Sequence, residues 1–176
     1  MAGSRIKILP EILSNKIAAG EVVLDVGSGT GILLPLVKLY EPETIYACDL
    51  SEAMLERLKE HYPYATTIVS DVRSLNLPDG SINVVFINAC YSNLMDKQGV
   101  FTNIGRMMKT GGRMIISHPM GKTFINILKE KSPFPLDDFP QESEAKTLLE
   151  PYGFSITKFT DMPELYALVA EKQSIS

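Results

Sequence analysis

The chain has 176 residues, 45% of them hydrophobic and 22% charged, figures that match one globular domain rather than two. Its formal net charge of -4, with no dense lysine or arginine block, disfavours nucleic acid as a partner. Only Cys48 and Cys90 are present, without the spacing of a zinc or redox motif, and no run approaches the roughly 20 apolar residues of a membrane span; a soluble, cytoplasmic protein with reduced thiols and no metal is expected.

From residue 22 onward, short β-branched apolar runs alternate with longer stretches of helical period, the pattern of a largely parallel sheet with helices on both faces. Seven strands are predicted, at Val22–Val26, Thr44–Cys48, Thr66–Ser70, Ile82–Ile87, Arg113–Ser117, Ser155–Phe159 and Tyr166–Ala170. Helices are predicted to begin near Ile32, Glu52, Gln98, Lys122 and Glu142, with Ser51 as an N-cap. Pro35 is compatible with the first of these, because the opening amides of a helix need no intrahelical acceptor. Three prolines between Ser132 and Pro140 demand a loop. Only Asp161-Met162-Pro163-Glu164 joins the last two strands, too short for a parallel crossover, so they form an antiparallel hairpin.

Chemistry concentrates at the strand ends. Leu24-Asp25-Val26-Gly27-Ser28-Gly29-Thr30-Gly31 reads as a buried strand feeding a glycine-rich turn, which lets backbone approach a ligand closely. The nicotinamide fingerprint GxGxxG fails in both registers, since its third glycine falls on Ile32 or Leu34, and no GKS or GKT follows to make a phosphate loop. Eighteen residues after Gly31, the second strand ends in Asp49-Leu50, where a carboxylate in such folds reaches ribose hydroxyls; capping of the helix after Ser51 is the other reading of Asp49. The third strand ends in Ser70-Asp71-Val72, the fourth in Asn88-Ala89-Cys90-Tyr91, and the fifth in His118-Pro119.

LDVGSGTG resembles the first motif of class I S-adenosylmethionine-dependent methyltransferases, and the resemblance runs from about residue 20 to 171. It implies a Rossmann-like fold with S-adenosyl-L-methionine as cofactor and S-adenosyl-L-homocysteine as product. Gly27, Ser28, Gly29, Thr30 and Gly31 would lie against the methionine moiety, and Asp25 would orient the loop and the amino group. Asp49 with Leu50 would hold the ribose, Asp71 with Val72 the adenine, and Asn88 to Tyr91 would line the site near the methyl. Ala89 and Cys90 replace the prolines of NPPY and DPPY enzymes, which removes weight from nucleobase and glutamine substrates. Lys109-Thr110-Gly111-Gly112-Arg113 resembles the family's paired-glycine turn before its fifth strand.

A small-molecule acceptor is the expected substrate, with His118 and Tyr91 as candidate catalytic groups where the acceptor must lose a proton. His118 has a second reading, as a hydrogen-bond partner for the turn before Pro119. A non-catalytic cofactor-binding protein acting through a partner is the competing function. The expected organisation is a lead-in over residues 1–20, the methyltransferase domain over 21–172 and a tail over 173–176, with the oligomeric state open. Residues 4–23 also resemble the start of the mismatch-repair ATPase MutL, without its catalytic machinery. A lid over the methyl group is expected from that front segment and from Phe134 and Phe139 in the proline-rich loop.

Overall fold

Alternation in the central strands sends successive side chains to opposite faces, and here both faces are apolar. In the computed structural model, which describes residues 2–174, Val22–Val26 (β1), Thr44–Asp49 (β2), Thr66–Val69 (β3), Ile82–Asn88 (β4), Met108–His118 (β5), Phe154–Met162 (β6) and Leu165–Lys172 (β7) form one sheet. The strand order is β3-β2-β1-β4-β5-β7-β6. The first five strands run parallel, and β7 lies antiparallel between β5 and β6. All seven predicted strands are present, with the closing hairpin.

Two cores result. Ala2–Leu13 (α1), Leu34–Lys38 (α2) and Glu52–His61 (α3) cover the face carrying Val23, Val84, Phe86 and Ile115. Lys97–Met107 (α4), Gly121–Lys131 (α5) and Glu142–Leu149 (α6) cover the face carrying Leu24, Val85, Ile87 and Ile116. The expected cap holds: Ser51 Oγ accepts from the Met54 amide at 3.3 Å. Gln141 and Glu144 close a capping box on α6. Helix α2 begins at Leu34, two residues after the predicted start, which puts Pro35 in its first turn where a missing amide costs nothing. No helix among the described residues is long and apolar enough to cross a membrane.

Two expectations about the front and the loop need correction. The lead-in is helix α1, and its Leu9, Ile12 and Leu13 are buried in the core against the sheet and α2, so this part of the front segment is core and not a free flap. The resemblance of residues 4–23 to the repair ATPase is not borne out, since this stretch builds one face of the methyltransferase core. In the proline-rich loop, Phe139 is buried while Phe134 is 75% exposed, so the pair does not form one apolar flap. Of the tail, residues 175 and 176 lie outside the described residues.

Candidate active site: a cleft across four strand ends

The chain reverses sheet order between β1 and β4, and open α/β sheets bind ligands at the carboxyl ends of the strands flanking such a switch. A cleft of about 370 Å³ lies there, within the size range of small-ligand sites. Gly27, Asp49, Leu50, Asp71 and Val72 line its β1–β3 side, and Ala89, Cys90, Leu94 and Met95 line the side after β4.

Glycine 27 has φ +65°, and a Cβ there would lie 2.8 Å from Cys90 Sγ, so the residue is fixed by both conformation and space. The loop is tied to β2: the Gly27 and Ser28 amides donate to the Cys48 carbonyl at 2.8 and 3.1 Å. Asp49 then grips both neighbours, accepting from the Gly29 amide at 2.8 Å and the Ser51 amide at 2.9 Å. These bonds fix the carboxylate plane at the cleft wall, and a carboxylate has lone pairs beyond those two for further donors. Gly31 is used differently. A Cβ on it would meet Tyr62 and Leu58 at 2.9 and 3.0 Å, so the third glycine lets α3 pack against the loop.

Asp25 is buried on β1, and burial, with a lesser contribution from the nearby Asp49 charge, raises its carboxyl to about 8. Asp71 goes the other way, held below the usual carboxylate range mainly by hydrogen bonds from the Arg73 side chain. Burial pushes the Cys48 thiol up to about 12 and that of Cys90 higher still, so neither is a nucleophile at neutral pH. Cys90 instead donates to the Val26 carbonyl at 3.1 Å. Both cysteines are free.

Beyond β4 the sequence reading is only partly met. Ala89 adopts φ +58°, and its amide donates to the Ser117 carbonyl at 2.8 Å. The residues lining the cleft include neither Asn88 nor Tyr91. Asn88 Oδ1 accepts from Ser117 Oγ at 3.0 Å. The Tyr91 ring stacks on Phe139 at 5.2 Å, and Phe139 packs on Tyr166 at 4.5 Å. His118 is buried beside this cluster, 5.4 Å from the Phe124 ring, and its Nδ1 accepts from the Met120 amide at 3.2 Å. His118 thus takes part in a local turn, as its second reading had it, but the donor, the Met120 amide, follows Pro119 and does not precede it. Missed in the sequence were Asn93, Leu94, Met95 and Val100. Their signal was an apolar pair, Leu94-Met95, just before the Asp96 cap of α4.

Residues 24–116, more than half of the chain, match the methyltransferase domain family. Over 108 residues the chain is 33% identical to the malonyl-[acyl-carrier protein] O-methyltransferase of Hahella chejuensis, covering 60% of this chain and 39% of that protein. An uncharacterized methyltransferase of Schizosaccharomyces pombe is 25% identical over 95% of the chain and 66% of its own length. The chain thus spans less than two thirds of these relatives. Among solved structures, the complex between the Haloferax volcanii Trm112 methyltransferase activator and a methyltransferase gives a TM-score of 0.83 at 14% identity, covering 98% of this chain and 96% of that one. An S-adenosylmethionine-dependent methyltransferase from Mesorhizobium loti gives 0.77 at 16% identity, covering 96% and 98%. With the cleft at the sheet's switch point, its glycine loop and the family match over both, the chain belongs to the class I S-adenosylmethionine-dependent methyltransferases.

Proposed function

We propose that this chain transfers the methyl group of S-adenosylmethionine to a small-molecule acceptor. The observation that carries the reading is the pair Asp49 and Asp71, which end neighbouring strands and line one cleft that opens onto Gly27. The residues present fit the cofactor. Asp49, with its plane fixed by the Gly29 and Ser51 amides, accepts from ribose hydroxyls. Asp71 accepts from the adenine amine between the apolar walls of Leu50, Val72 and Met95. Gly27, backed by Cys90, lets the backbone come close to the methionine portion, and Asp25, two residues earlier on β1, orients the loop and the amino group.

When bound, the cofactor supplies a sulfonium methyl that transfers by in-line displacement with a neutral leaving group, so no protein acid is required. The chain's contribution is then to hold the reactants in line and exclude water, which can lower the barrier by several kcal/mol, of the order of 7–11 in well-oriented cases. Tyr91 and His118 favour this positioning role over proton transfer. Both belong to the buried aromatic cluster beside the cleft, and burial raises the Tyr91 phenol so that it keeps its proton at neutral pH. An acceptor that is already nucleophilic suits such a site.

A second reading, catalysis that depends on a partner protein, draws support from the similar Haloferax fold, which is seen with a methyltransferase activator. Turnover of cofactor by the isolated chain would separate the two. The primary test is calorimetry of the pure chain with S-adenosylmethionine, S-adenosylhomocysteine and NADH. Binding of the first two alone is expected. Tight NADH binding without a response to S-adenosylhomocysteine would overturn the reading.

A further inference from the structure

The walls of the cleft are joined by a residue outside the glycine loop and strand ends. Arg73, two residues past Asp71, places Nη2 2.6 Å from Asp71 Oδ2 and Nε 3.0 Å from both carboxylate oxygens. Its own amide donates to Asp71 Oδ1 at 2.9 Å. The same guanidinium reaches the opposite wall, with Nη1 3.8 Å from Asp96 Oδ2. Asp96 caps α4 and directly follows Leu94 and Met95, which line the cleft. Its backbone is left-handed, φ +45°, and its Oδ1 accepts from the Gly99 amide at 3.1 Å.

Gly99 shows how closely these groups are fitted. A Cβ on it would stand 2.5 Å from Asp96 Oδ2 and 3.3 Å from Arg73 Cδ. Glycine near the start of a helix is otherwise unfavourable by about 1 kcal/mol relative to alanine. Here its missing side chain leaves room for the carboxylate and the arginine stem.

We infer that Arg73 is a positioning residue for the adenine: it ties Asp71 to Asp96 across the cleft and fixes the Asp71 carboxylate so that the exocyclic amine meets it in one orientation. The inference rests on Asp71 being the adenine acceptor, as proposed above. A half-buried aspartate without such a fork still samples several rotamers, and each misdirects the acceptor. Fixing it confers selectivity for a 6-amino purine, because a 6-oxo purine sets a carbonyl against a carboxylate.

The experiment compares S-adenosylhomocysteine with its deaminated analogue, S-inosylhomocysteine, by calorimetry on the full chain. The parent protein should prefer the amino compound by roughly ten- to hundredfold, the value of one charge-assisted hydrogen bond. Arg73→Ala should lose most of that preference while its ligand-free melting temperature stays unchanged, and Arg73→Lys, which keeps the charge but not the fork, should fall between. A purely structural role would weaken both ligands equally and leave their ratio intact. If Arg73→Ala keeps the parental ratio while Asp71→Asn loses it, Asp71 reads adenine and the positioning role of Arg73 is wrong. If Asp71→Asn also keeps the ratio, the adenine assignment fails and the inference falls with it.

Discussion

Two carboxylates on adjacent strands, Asp25 and Asp49, have opposite surroundings, and the difference is measurable. Burial raises the Asp25 carboxyl from 3.8 to about 8, so the folded chain keeps a proton there that the unfolded chain has lost above about pH 4. The unfolded state binds fewer protons across that window, so this group's contribution makes stability fall as pH rises from about 4 to 8 and flatten above. Asp25→Asn removes the slope; relative to the parent it should gain on the order of a few kcal/mol between pH 5 and 8. Urea melts at four pH values would show this, and a parallel fall in parent and variant would contradict it. Asp49 acts on binding instead. Asp49→Ala should weaken S-adenosylhomocysteine by about 1.5–3 kcal/mol for each charge-assisted bond lost, and more if the Gly29 amide, its present partner at 2.8 Å, is left unpaired. Unchanged affinity by calorimetry would remove Asp49 from the ribose site. Both acids were legible in the sequence because a strand end and a spacing place them. The surroundings of Asn88 and Tyr91 were not, because the left-handed turn at Ala89, a non-glycine residue, lies between them and no local pattern announces it. Gly31 shows the same limit: its conformation was readable, but its use, admitting Tyr62 of the segment after α3, is a long-range contact.

At the scale of elements, strands were the most readable because both sheet faces are buried and the β-branched runs admit no other period. Helix α1 was hidden by Pro10 in its third turn, which removes an amide from the ladder and usually ends a helix; burial of Leu9, Ile12 and Leu13 outweighs that penalty. The loop from Ser132 to Pro140 was recognisable as a loop, yet its role turned on which phenylalanine points inward. Asp137 pairs with Lys97 and donates its amide to the Ser92 carbonyl at 3.1 Å, which anchors the loop beside the turn after β4. Phe139 then fills the space between Tyr91 and Tyr166. Phe139→Ala should therefore cost about 3–5 kcal/mol of stability, as for other buried aromatic truncations. Phe134→Ser, on an exposed ring, should stay within about 0.5 kcal/mol. Equilibrium urea unfolding of the two variants distinguishes a core plug from a flap; equal, small effects would restore the flap.

For the whole molecule, the sheet divides the chain into two cores, and Leu33, Leu34 and Val37 of the α1–α3 core follow closely on the glycine loop whose Gly27 lines the cleft. Stability of the face under α1–α3 therefore bears on the site without touching the ligand. Leu9, Ile12 and Leu13 are at most 2% exposed and share that core with Leu33, Leu34 and Val37 at the start of the helix that follows the glycine loop. Burying each such side chain stabilises by about 1.5–3 kcal/mol, so the three together approach the 5–15 kcal/mol that holds a domain of this size folded. The same segment supplies the Lys16 carbonyl that accepts from Arg113 Nε at 3.0 Å, next to the ion pair of Arg113 with Glu21. Deleting residues 1–18 removes the three side chains and the Lys16 carbonyl at once and leaves the Arg113–Glu21 pair without that neighbour. The truncated chain should lose its cooperative thermal transition, or melt far below the full-length protein, and bind a hydrophobic dye at room temperature. Leu13→Ala, a milder change, should cost about 2–5 kcal/mol by cavity formation with the fold retained. A lid would behave otherwise, since removing it leaves the melting temperature unchanged and alters only affinity and turnover. A truncated chain that melts within a few degrees of the parent would place α1 outside the core and return it to the lid.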